Sequence, residues 1–299
     1  MRELTRAACE DQMMRRAALA IAGALAVCAL SALPATAATA TGDNRALALR
    51  FRPHLLFDSG ERWRPLDVDR FLAEPGHLAC PLAPASCTPL TSVAQLTPPV
   101  DHLDLRGDGP PDDPDTPSVI YAHVTRGDRR IAIDYWWFLR HNAYGFEEHE
   151  GDWEGVTVIA DRRGERLLDV HFAAHADAWR YPAAVRQAVG RRVRVYVTRG
   201  GHASYPQPCT RRCRQTEGTL PEARFDGKRP WAGNTAAGCR GRCVRLLPTS
   251  ANGAPASWNA WGGRWGLTVS PAFAAPLTPA FQRRYQHPFA ARRSPREIF

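Results

Sequence analysis

Apolar residues in the middle of the chain recur at every second position, the period of a strand with one face buried. In residues 130–139, Ile131, Ile133, Tyr135 and Trp137 share one parity. In residues 167–174, Leu168, Val170 and Phe172 share one, while Asp169, His171 and, just beyond, His175 take the other. The same reading predicts strands at 118–125, 152–160 and 192–198, and a first strand over 47–57 that runs into the turn Asp58-Ser59-Gly60. Helical signals are confined to 68–72 and 182–189. Residues 75–117, crowded with proline and aspartate, read as surface loop; residues 209–243, rich in arginine and glycine without periodicity, read as a disulfide-clamped loop. The fold expected is all-β, an antiparallel β-sandwich with a few short helices and long disulfide-clamped loops. It forms one domain over 45–290, followed by a tail at 291–299. The 25 prolines and 23 glycines, scattered and not gathered in tracts, agree with many turns and short strands.

The amino-terminal residues break this pattern. Met14-Arg15-Arg16 is a basic start, 17–33 is almost purely apolar, and Ala35-Thr36-Ala37 or Ala38-Thr39-Ala40 offers a small-residue cleavage site, so residues 1–40 read as a secretory signal. Glu3, Glu10 and Asp11 do not belong in such a start, which points to translation from Met13 or Met14. An uncleaved anchor is the competing reading, but the apolar run falls short of the ~20 residues a spanning helix needs. The expected location is secreted. Export also changes the meaning of the cysteines: Cys80, Cys87, Cys209, Cys213, Cys239 and Cys243 form an even set suited to disulfides, with Cys80 and Cys87 as the simplest pair. The formal charge is +9 with Lys228 as the single lysine, so the positive charge is arginine, which favours planar anions. No basic run interleaved with aromatics marks a nucleic-acid surface, and nucleic acid is not an expected partner.

Candidate chemistry concentrates in His149-Glu150-Gly151-Asp152-Trp153-Glu154. On a strand, Asp152 and Glu154 project side by side with Val156 and Val158, and two adjacent carboxylates require either a divalent cation or an arginine to reconcile them. His149 can fold back to the same place, with Gly151 easing the turn, giving a mixed nitrogen and oxygen donor set that suits Mg²⁺, Ca²⁺, Mn²⁺ or Zn²⁺ without choosing among them. A second segment, Gly200-Gly201-His202-Ala203-Ser204-Tyr205-Pro206, leaves a strand through tandem glycines and offers His202, Ser204 and Tyr205 as ligand contacts. Trp258, Trp261 and Trp265, interleaved with glycines, suit either core packing or stacking on a sugar or lipid headgroup.

Several blocks resemble the Vps62-related (DUF946) family in order: Arg52-Pro53-His54-Leu55-Leu56-Phe57, Tyr121-Ala122-His123-Val124, Tyr135-Trp136-Trp137-Phe138, His149 with Gly151-Asp152-Trp153-Glu154, Thr198-Arg199-Gly200-Gly201-His202 and Gly263-Arg264-Trp265-Gly266. The block ending in Asp-Trp-Glu is also similar, more distantly, to NPP1-like necrosis-inducing proteins, whose hallmark is Gly-His-Arg-His-Asp-Trp-Glu. That resemblance implies a secreted β-sandwich cytolysin with a cation in a polar cavity and affinity for lipid headgroups. Its cation ligands fall on His149, Asp152 and Glu154, and an upstream aspartate falls on His141. The hallmark's second histidine is Gly151 here. Trp136, Trp261 and Trp265 join the expected ligand contacts.

The function expected is therefore binding of a glycan or lipid headgroup at a cell surface through a divalent-cation or polar pocket, with peripheral membrane contact and a monomeric chain. The alternatives are a secreted metal-dependent hydrolase of phosphoester or glycosidic bonds, with Glu154 or Asp152 as general base and His202 as acid or oxyanion stabiliser, and a purely structural motif.

Overall fold

A computed structural model describes residues 43–82, 86–107, 118–144, 148–174, 177–181, 188–208, 231–232, 243–267 and 274–293. The expected signal at 1–40, Cys209, Cys213, Cys239, His175 and most of the helix expected at 182–189 lie outside them. Arg45–Phe299 forms one compact unit. Among the described residues no helix is long and apolar enough to cross a membrane.

The organising layer is a seven-stranded sheet in the order β13-β5-β6-β7-β8-β9-β14. It comprises β5 (Ile120–Arg126), β6 (Arg130–Asn142), β7 (His149–Asp161), β8 (Leu167–Ala174), β9 (Asp177–Arg180), β13 (Val244–Leu246) and β14 (Arg292–Arg293). From β5 to β9 the pairing is antiparallel, and a short parallel strand closes each edge. Facing it is a four-stranded sheet of β1 (His54–Phe57), β10 (Arg194–Val197), β11 (Ser204–Tyr205) and β12 (Trp231–Ala232), in which β1 and β10 run parallel. The alternation read from the sequence puts Ile131, Ile133, Tyr135, Trp137, Val156, Val158, Val170 and Phe172 on one face. There they meet Leu55, Phe57, Val195 and Val197 in a continuous core. Each such side chain removed from water contributes roughly 1.5–3 kcal/mol. The β-sandwich follows from that burial.

The opposite parity does not face solvent. Trp136, Phe138 and Trp153 pack with Trp258, Trp261, Trp265 and Tyr121 in a second core. Trp153 stacks on Trp258 with centroids 5.6 Å apart and meets Trp265 edge-on at 5.5 Å. The indole N–H groups of Trp258, Trp261 and Trp265 donate to Asp69, the Val100 carbonyl and Thr278. Trp136, Trp261 and Trp265 are at most 3% exposed, so the structure places these three expected ligand contacts in the interior.

Two local expectations are corrected. Residues 45–50 are helical, and the first strand is only His54–Phe57. Alanine, leucine and arginine are strong helix formers, while Pro53 forces the residue before it into an extended conformation, so the apolar run divides there. Residues 75–117 contain a small sheet, β2 (Leu78–Pro81), β3 (Thr88–Pro89) and β4 (Val100–Asp104). A Cys80–Cys87 disulfide staples its β2–β3 hairpin, the pairing expected. Cys243 is also disulfide-bonded. The helix α1 (Val68–Leu72) lies where the sequence places it and buries Val68, Phe71 and Leu72.

Candidate functional site

Asp152 and Glu154 occupy the amino-terminal part of β7, opposite Leu139 and Trp137 of β6 and therefore on the face turned to the four-stranded sheet. Gly151 makes this arrangement possible. Its φ of +59° is a left-handed conformation that glycine adopts without penalty, and a Cβ there would collide with the Trp265 carbonyl. The kink breaks the alternation, sending Glu150 to the tryptophan side. There its carboxylate accepts from the amides of Leu105 at 3.0 Å and Gly107 at 2.6 Å. Glu150 is a clamp for two loops.

The partner of Asp152 comes from the second segment. His202 has no exposed surface, and its Nδ1 lies 2.8 Å from Asp152 Oδ2. Its Nε2 lies 3.2 Å from Glu61 Oε2. Glu61 in turn accepts from the amides of Gly200 at 2.8 Å and Trp63 at 2.9 Å. The turn that delivers His202 uses positive φ at Gly200 (79°) and at His202 itself (53°). Three segments distant in sequence are thus joined at one imidazole. Burial opposes charge on both sides of this clasp, but attraction wins. Against burial, the negative charge of Glu61 and the ring's side-chain contacts to Asp152 and Glu61 hold His202 up to about 10, so the ring is an imidazolium at neutral pH. Against burial, His202 and the amides of Gly200 and Trp63 hold Glu61 down to about 2. Each ring nitrogen of His202 thus faces a carboxylate, Nδ1 hydrogen-bonded to Asp152 and Nε2 ion-paired with Glu61.

Glu154 is the unbalanced member. Burial first, and then repulsion from Asp152, push its carboxyl well above the usual range, despite the opposing charges of Arg284 and His202. Among the described residues its Oε2 is buried without a hydrogen-bond partner, as are Nε1 of Trp137, directly across the strand pair, and the hydroxyl of Tyr205 on β11, which packs against β7. Ser204 is equally buried. Arg284 reaches Glu154 from the other face of the sheet, where its guanidinium lies 3.5 Å from the Trp136 ring centroid. Gly155 gives it room: a Cβ there would strike that guanidinium and the Tyr135 carbonyl.

The histidines expected beside these carboxylates have other neighbours. His149 Nδ1 lies 2.8 Å from the Gly151 carbonyl, and His141 Nε2 lies 3.2 Å from Glu148. Among the described residues no group of three or more His, Cys, Asp or Glu side chains is placed to hold a metal ion. Asp169 and His171, the polar parity of β8, are buried on the opposite face, paired with each other at 3.7 Å and with Arg180. Parity separates them from Asp152, because His171 pairs with Thr157 and not with the Val156 face. Glu61 and Arg284 were not singled out by sequence reasoning. Glu61 had a signal, its place in the turn before Trp63, while Arg284 is one arginine among many.

No family model matches the chain. No curated protein matches it either. Among solved structures it is similar to NLPPya in complex with glucosamine, at 16% identity and a TM-score of 0.41 over 81% of this chain and 85% of that one. It is also similar to Necrosis and Ethylene inducing Protein 2 from the causal agent of cocoa's Witches Broom disease, at 16% identity and a TM-score of 0.38 over 72% and 77% of the two chains. A third is the non-toxic HaNLP3 protein, at 15% identity and a TM-score of 0.37 over 72% and 77%. Solved structures similar to this chain thus include necrosis-inducing proteins, at low identity, and the Vps62-related resemblance is not shown.

Proposed function

We propose that this is an exported β-sandwich protein that binds glycan or lipid headgroups, using a divalent cation held at Asp152 and Glu154. The observation that carries the reading is the Glu154 carboxyl, buried beside Asp152 with one oxygen lacking a hydrogen-bond partner. Among the described residues, Glu61, Asp152 and Glu154 are three acids gathered around one paired cation, His202, on that face. A divalent cation would supply the missing charge and reverse the upward pressure on Glu154.

Two carboxylates are few for a structural cation site, but they suit a cation such as Mg²⁺, which keeps most of its positions for water and ligand oxygens. The sugar or headgroup would occupy those positions. The engaged nitrogens of His202 favour binding over hydrolysis. The apolar stretch at 17–33 with its small-residue cleavage site supports export.

The test is binding of the mature protein to immobilised glucosamine and mannosamine, the ligands of the NLPPya complexes, and to lipid vesicles, with Mg²⁺, Ca²⁺, Mn²⁺ or Zn²⁺ and with chelator. Retention that requires a cation and is reduced at least tenfold in Asp152→Asn is the expected result. Binding indifferent to both chelator and substitution contradicts the proposal.

A further inference from the structure

We propose that a cleft under the carboxy-terminal segment, on the face of the seven-stranded sheet opposite Asp152 and Glu154, binds a phosphate group. It does not depend on the cation reading. The segment includes the short helix α2 (Arg283–Gln286) and ends in β14, which lies parallel to β9. Between the segment and Ala178 of β9 is a cleft of about 120 Å³ lined, among the described residues, by Arg283, Arg284, His287 and Arg292 with alanines and no acidic residue. A single water needs only about 10–15 Å³ on this measure, so the cleft has room for a tetrahedral oxyanion.

Arg284 is the fixed member of the set, beneath the cleft. It is 7% exposed, its Nη1 donates to the Tyr135 carbonyl at 3.2 Å, and its guanidinium packs against Gly155 and the Trp136 ring. Asp134 and Glu154 partly offset its charge from the sheet side. Arg283, His287 and Arg292 are exposed, and Arg292 lies 5.8 Å from the Trp179 ring centroid. A planar carboxylate is satisfied by one guanidinium fork. The exposed guanidinium groups of Arg283 and Arg292 and the His287 imidazole, above the positive charge of Arg284, suit an anion with more oxygens and up to two charges, and charge-assisted N–H donors to phosphate are among the stronger hydrogen bonds.

The experiment is calorimetric titration of the whole mature protein with inorganic phosphate and with glycerol phosphate, with acetate and chloride as controls at matched ionic strength. Vesicles with and without phosphatidic acid form a second arm. Arg283→Gln/Arg292→Gln changes only exposed lining residues, and Arg162→Gln/Arg163→Gln, in an exposed turn, is the charge-matched control. Saturable phosphate binding that weakens at least tenfold in the first variant and is unchanged in the second is expected. Phosphatidic acid binding lost in the same variant would identify a lipid headgroup as the source, and binding of the soluble phosphates alone would identify a free one. Acetate or chloride binding equal to phosphate, or wild-type affinity in Arg283→Gln/Arg292→Gln, overturns the site.

Discussion

Replacing His202 with glutamine is expected to destabilise the protein by about 3–5 kcal/mol at pH 6, the cost of leaving a buried charge without its partner. Among the described residues the imidazolium is the only cation paired with both Glu61 and Asp152, and Glu61 cannot turn to water without releasing the Gly200 amide. The pH dependence carries the same signature. His202 has a folded pKa of about 10 against an ordinary 6.5, so its contribution is complete below pH 6.5 and disappears as pH rises through 10. Glu61 is depressed to about 2 from 4.5, so its contribution is complete above pH 4.5 and is lost as pH falls through 2. Both are fully present only between pH 4.5 and 6.5. Glu154 adds to the alkaline decline, because a buried acid with a raised pKa resists ionisation as pH increases. Melting temperatures recorded from pH 4 to 10 should therefore fall on the alkaline side, and more shallowly in His202→Gln than in the parent. Equal stability at pH 6 and parallel slopes would mean that the clasp contributes nothing net.

Gly151→Ala is expected to cost about 3 kcal/mol or more, combining the ~1–2 kcal/mol penalty of a left-handed residue with the ~1–3 kcal/mol of forced overpacking. The new Cβ would collide with the Trp265 carbonyl, and relieving that contact means moving either β7 or the tryptophan core. Gly253→Ala is the control. It has a similar φ of +84° but open space around it, so it should show the backbone penalty alone. Urea denaturation followed by tryptophan fluorescence measures both. If the two variants lose the same stability, close approach of Trp265 is not what fixes glycine at 151.

The strands that carry the site were legible because their patterning is strict. Parity alone aligned Tyr135 and Trp137 with Val156 and Val158, and therefore placed Asp152 and Glu154 together facing the inner core. Periodicity did not reveal that both faces of the sheet are buried, since the outer cover comes from Trp258 to Trp265 and from Arg284, far along the chain. For the same reason Asp169 and His171, which look like a solvated face, are interior. The role of Glu61 depends on a turn folding against β7 across ninety-one positions, a long-range contact that no local spacing encodes. The left-handed Gly151 reversed one local inference. It was expected to bring His149 toward the carboxylates, and instead it redirects Glu150 while His149 turns to a backbone carbonyl.

The cation site is tested most directly by elemental analysis and calorimetric titration of the mature protein beside its Asp152→Asn/Glu154→Gln variant, with melting curves to establish that both are folded. One equivalent of a divalent cation in the parent and none in the variant is the predicted result. A folded parent that takes up no divalent cation at millimolar concentration, or a variant that binds as the parent does, would contradict a cation at Asp152 and Glu154.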